Sequence, residues 1–162
     1  MDTISGGMLL GMPFSYSIDQ SRETAIITWT IEMLAGEAEE AMQAVVADPL
    51  HKPHYKHLVD CRGVRVNFNI PDNRHLAAAN AREGDAQGSP PHSRGKVAIV
   101  TGDEMSFGVA SQFAAFSELQ GITVAVFRDM HAAEHWLAVP TPDGNFRSHT
   151  ASGSCSANPP AV

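Results

Sequence analysis

The chain is poor in positive charge, in cysteine and in long apolar runs, and each shortage removes a class of protein. Eleven basic residues stand against 18 acidic ones, a formal charge of −7. Broad nucleic-acid binding needs a positive surface to displace counterions from phosphates, so no nucleic-acid partner is expected. Two cysteines, Cys61 and Cys155, cannot build a disulfide framework. No apolar run approaches the ~18 residues that span a bilayer, so no integral membrane segment is expected. The opening MDTISGGMLLGM lacks the basic flank of a secretory signal, and Met8 and Met12 are both candidate starts. The glycine patterns G-x-G-x-x-G and G-x-x-x-x-G-K-[ST] are absent as well, which removes the two commonest nucleotide-binding loops. A cytoplasmic protein is the expectation.

What is present suffices for one domain. Hydrophobic residues make up 43% of 162, enough for a single core. Residues 1–11 read as a leader, 12–138 as the domain and 139–162 as a disordered tail, with a polar linker, EGDAQGSPPHSR, inside the domain at 83–94. Phe14–Ile18 alternates apolar and polar residues, and Thr24–Thr30 is rich in β-branched and aromatic ones; together they predict an antiparallel hairpin. A helix is predicted from about Met33 to Ala47, ended by Asp48-Pro49. His57–Cys61 reads as a strand, 62–70 as extended or irregular, and Arg74–Arg82 as a helix entered through Pro71-Asp-Asn.

The stretch from Gly95 to Leu137 has the plainest organisation. Val97–Val100 is a continuous apolar run, the mark of a strand covered on both faces. Thr101 and Glu104 have capping-box spacing before a helix whose buried side is predicted as Met105, Val109, Phe113, Phe116 and Leu119. Gly121 is placed to end that helix in the left-handed region. Ile122–Phe127 reads as a strand, Asp129 as an N-cap, and Met130, Ala133, Trp136 and Leu137 as the apolar side of a last helix. The order β-β-α-β-α-β-α-β-α predicts an α/β domain with a mixed, largely parallel five-stranded sheet and four helices.

Three strings then carry a resemblance: Leu58-Val-Asp-Cys-Arg-Gly63, Arg94-Gly-Lys-Val-Ala-Ile-Val100, and Val124-Ala-Val-Phe-Arg-Asp129 running into a helix that ends Trp136-Leu137. With the element order, they make Met12–Ala138 resemble the SpoIIAA-like family, bacterial domains of STAS type that are also grouped with Sec14-like lipid-binding folds. The resemblance implies a non-enzymatic regulatory or protein-interaction domain. Members that antagonise anti-sigma factors are switched by a phosphorylated serine after the third strand. The corresponding segment here, Arg62–Asp72, contains no Ser or Thr, so that switch has no acceptor at this place.

Several local groups invite a site. His131-Ala-Ala-Glu134-His135 matches H-x-x-E-H, a zinc-protease pattern, but the histidines fall opposite the apolar side of their helix. His51, His54 and His57 recur at every third residue; a solvated loop is preferred over a metal cluster, because Pro53 and the strand start interrupt a shared face. Asp60 and Cys61 end a central strand, where α/β sheets place ligands. Cys61 reads as structural, with no histidine assigned to activate it. Two acids in Thr101–Glu104 disfavour an anion at that helix start.

The expectation is therefore a non-catalytic domain, with no metal and no cofactor. Its partner surface centres on the loop after the third strand and the helix 72–82, with Asp60, Arg62, Asn67, Asn69 and Asp72 as candidates. The partner is another protein, with a second copy of the chain among the candidates. The alternative is a binder or sensor of a lipid-like apolar small molecule, using Met105 and Phe107 on the helix face 105–119. A metal- or thiol-dependent enzyme ranks third.

Overall fold

A computed structural model describes residues 4–7, 12–89 and 94–139. The predicted tail beyond 139 lies outside the described residues, as do 1–3, 8–11 and 90–93. The strands are β1 (Ile4–Gly7), β2 (Phe14–Asp19), β3 (Thr24–Trp29), β4 (Met33–Leu34), β5 (Lys56–Cys61), β6 (Val66–Asn67), β7 (Val97–Thr101) and β8 (Val124–Phe127). The helices are α1 (Ala35–Ala47), α2 (Ile70–Ala86), α3 (Glu104–Leu119) and α4 (Met130–Ala138). None of the described helices is long and apolar enough to cross a membrane.

The fold is α/β with a mixed, mostly parallel sheet and four helices, as the sequence pattern predicts. The order is β1-β2-β3-β5-β7-β8. The β2–β3 hairpin is antiparallel, while β3, β5, β7 and β8 run parallel. One strand is additional: Ile4–Gly7, assigned to the leader from sequence, pairs antiparallel with β2 as an edge strand. The stretch after β5, undecided from sequence, contains β6, which pairs parallel with β4 in a separate two-stranded ribbon. Met33 and Leu34 are used in that ribbon, so α1 starts at Ala35.

Strand side chains alternate between two helical layers. Ala25, Ile27 and Trp29 of β3, Cys61 of β5, and Val97 and Ile99 of β7 enter the larger core, with Ala38, Ala41 and Val45 of α1, Leu76, Ala77 and Ala81 of α2, and Ala110 and Phe113 of α3. The intervening Leu58, Ala98 and Val100 meet Ala133 and Leu137 of α4 in a smaller core on the other face. All five residues of β7 are buried, which is why its sequence shows no alternation.

Two helix readings are corrected. The N-cap of α3 is Asp103, whose carboxylate accepts from Ser106 N at 2.8 Å. Thr101 is no cap, because β7 extends one residue past its apolar run and pairs Thr101 with Cys61. The buried stripe of α3 is Ser106, Ala110, Phe113 and Ser117, with Met105 71% and Leu119 81% exposed. Of the predicted face, Phe113 is buried and Val109 and Phe116 pack partly buried against the core, so only its end residues Met105 and Leu119 turn outward. Meanwhile α2 runs through to Ala86, taking the first residues of the predicted 83–94 linker. It begins in a capping box between Asn69 and Asp72 with Pro71 in the first turn. Gly121, at φ +80°, and the Asp129 cap, accepting from Ala132 N at 2.8 Å, are as predicted.

Candidate functional site

The residues singled out from sequence gather at the carboxyl end of the sheet, but most are already engaged. Asp60 and Arg62 form a two-pronged ion pair, both bonds 3.0 Å, and Asp60 also accepts from Arg62 N. Hydrogen bonding from Arg62 holds the Asp60 carboxyl below its ordinary range. Asn67 donates to Glu32 at 3.2 Å. Asn69 and Asp72 are occupied by capping each other, with bonds of 2.7 and 3.0 Å. Phe107 lies under the Arg128 guanidinium, 3.9 Å from ring centre to Cζ. Met105 is the apolar exception: it lies exposed in a shallow groove with Phe68, Ile70, Pro71 and Val109.

A different site lies inside the larger core. A cavity of about 90 Å³ sits between the sheet and α1, α2 and α3. Its wall is mostly apolar: Ile27, Trp29, Val59 and Ile99 from the strands, Ala38, Ala41 and Met42 from α1, Leu76 from α2, and Ala110 and Phe113 from α3. The origin is legible in the side chains. Helices α1 and α3 line it with alanine at Ala38, Ala41 and Ala110, and such short side chains leave the interlayer space unfilled. At ~24 cal/mol per Å³, leaving 90 Å³ empty costs about 2 kcal/mol.

Few polar groups reach this wall. Trp29 Nε1 is buried without a hydrogen-bond partner among the described residues. Asn80 of α2 and His57 of β5 also contribute to it. Strand pairing fixes His57 between Ala25 and Val97 on the cavity side of the sheet. Its Nε2 lies 3.1 Å from that of His51, with the rings stacked. Burial, and then the neighbouring His51, push the His57 pKa down to about 3; burial lowers His51 too. Both imidazoles are neutral near pH 7, and one donates to the other. His54 lies apart, 3.3 Å from Glu23 in an exposed pair. The three-histidine repeat is therefore neither one solvated loop nor one ligand set: two members turn inward and the middle one turns out.

The remaining sequence candidates are structural. Cys61 is buried with its Sγ 3.6 Å from Met33 Sδ. Burial and the adjacent Asp60 push its thiol up to about 12, far from a thiolate nucleophile. His131 and His135 are exposed on α4, away from its buried Ala133 and Leu137. No cluster of three or more metal-ligating side chains occurs among the described residues. The cavity residues went unrecognised in sequence because Ile27, Val59 or Leu76 look like any core position. The available signal was the alanine on two helix faces, α1 and α3, opposite large strand residues. Compared with protein-family models, with curated proteins and with solved structures, the chain gives no match.

Proposed function

We propose that this chain is a non-catalytic binding domain whose ligand is a small apolar molecule held in the core cavity. The observation that carries the reading is the 90 Å³ cavity walled by Ile27, Trp29, Val59, Ala41 and Phe113. An apolar cavity of about 150 Å³ stays dry and takes benzene, so this one suits about four carbons before any wall moves. The ligand is thus shorter than a membrane lipid chain. The raised Cys61 thiol supports a non-catalytic role. Membership of the SpoIIAA-like group belongs to the same proposal, supported by the element order and the three strings that carry the resemblance.

Calorimetric titration with pentan-1-ol tests it. The wild-type protein is expected to bind one equivalent, and Ala41→Leu, which fills the cavity from α1, to bind about tenfold more weakly or not at all. Equal binding by both proteins, or no saturable binding by the wild type, would overturn the reading.

A second reading, a protein-interaction surface, rests on the groove where Ile70 is 51% and Met105 71% exposed. Solitary exposed apolar residues are ordinary; two lining one groove support this reading. The double variant Ile70→Ser, Met105→Ser is expected to lose specific partners in crosslinking, or self-association in sedimentation; an unchanged partner set and sedimentation would count against it.

A further inference from the structure

The apolar cavity does not end at His57. His57, Asn80 and Val97 also line an adjoining cavity of about 40 Å³, whose wall adds His51, Glu83, Gln87 and Arg94. Polar side chains are more numerous here, although most of the wall remains apolar. Arg94 is the only Lys or Arg among the described residues of this wall. Its side chain is only 10% exposed. Nε and Nη2 donate to the Ser89 carbonyl at 2.9 and 2.7 Å, and Nη2 also to Asp85 Oδ1 at 2.7 Å. Nη1 is buried and has no partner among the described residues. A Cβ at Gly84 would overlap this guanidinium, so α2 carries glycine where Arg94 lies.

A buried guanidinium nitrogen with two free N–H groups is costly unless something accepts from it. The adjoining space of 40 Å³ holds about two or three water-sized groups, the size of a carboxylate. Carboxylates are the acceptors that guanidinium groups pair with best. The two histidines facing this space from β5 and the preceding loop are neutral and can donate or accept.

We propose that the ligand is a short-chain carboxylate, its alkyl tail in the first cavity and its carboxylate against Arg94 Nη1 in the adjoining one. This rests on the apolar-ligand reading and adds the head group to it. Tail and head space together admit a chain of about five carbons, pentanoate in size. Asp85, 68% exposed, offsets part of the Arg94 charge through solvent. Glu83 opposes an anion directly, since it lines the same small space.

The experiment is a calorimetric titration of the full chain with pentanoate and with pentan-1-ol, which share a tail and differ in head group. Wild type is expected to bind pentanoate about tenfold tighter than pentan-1-ol. Arg94→Gln should bring pentanoate to the level of the alcohol while leaving the alcohol within about twofold. Glu83→Gln, which leaves every bond of Arg94 in place, should tighten pentanoate about twofold or more, and keeps the test open if Arg94→Gln fails to fold. If wild type binds the alcohol as tightly as the acid, the adjoining space holds water only. The head-group proposal then falls while the apolar-ligand reading stands. An unchanged pentanoate affinity in either variant also overturns the proposal. If neither probe binds, both proposals fall together.

Discussion

His57 Nε2 lies 3.1 Å from His51 Nε2, and the two rings stack 5.2 Å apart where the two cavities adjoin. Two protonated imidazoles could not share that contact. The pair is therefore a built-in preference for the neutral state, and it has consequences for stability.

Unfolded, His57 titrates near 6.5, whereas in the fold its pKa is about 3. Between those values the unfolded chain binds a proton that the folded chain refuses. Stability from this source is complete above 6.5 and is lost as pH falls toward 3, with a slope approaching about 1.4 kcal/mol per pH unit. His51, also lowered, acts in the same direction. Asp60 and Asp103 are lowered from 3.8, so the stability they add is present above that value and is lost only as pH falls below it. Urea unfolding at several pH values from neutral down to the mid-fours should show the slope, and His57→Leu should flatten it. Parallel slopes for both proteins would contradict the assignment.

Ala41→Leu should raise the stability of the ligand-free protein by about 1 kcal/mol, because it fills space whose emptiness is costly without adding a polar atom. The melting temperature measures this directly. A lower melting temperature would mean that the α1 wall cannot accept the added volume.

Ser106 ties the start of α3 to β6 through one hydroxyl. Its Oγ donates to Asp103 at 2.8 Å and accepts from Val66 N of β6 at 3.0 Å. Ser106→Ala leaves the Val66 N–H buried and unpaired, and should cost about 1–3 kcal/mol in denaturant unfolding. Amide exchange at Val66 should accelerate in parallel. Exchange at the wild-type rate would show that β6 does not depend on this bond.

Cys61 should resist alkylation. In a Cys155→Ser background, iodoacetamide is expected to leave the native protein unmodified, and to label one site once denaturant is added. Rapid labelling of native protein would mean that Cys61 is open to solvent.

How far the sequence could be read varied with the kind of interaction. The apolar run Val97–Val100, the stop at Gly121 and the cap at Asp129 each rest on bonds within a few residues, so local pattern placed them correctly. The α3 face was misread only at its ends, Met105 and Leu119, and the burial of Ser106 rests on its bond to Val66 N of β6, which no local window contains. The 83–94 stretch looked like a linker, yet α2 keeps its first four residues. Its Gly84 answers to Arg94, ten positions away in sequence and adjacent in space.

The candidate site was the least legible part. Asp60, Arg62, Asn69 and Asp72 drew attention as polar residues at strand and helix ends, and they bond to each other. The cavity is made of residues that are individually unremarkable. By itself the sequence determined the alternation of strands and helices, the largely parallel sheet and the helix ends at Asp48, Gly121 and Asp129, since these follow from periodicity and local hydrogen bonding. Only the tertiary structure decided that His51 and His57 turn inward while His54 turns out. Only it decided that alanines from two helices meet over one space with Arg94 beside it. A cavity is a mismatch between surfaces from distant segments, and it exists in none of those segments alone.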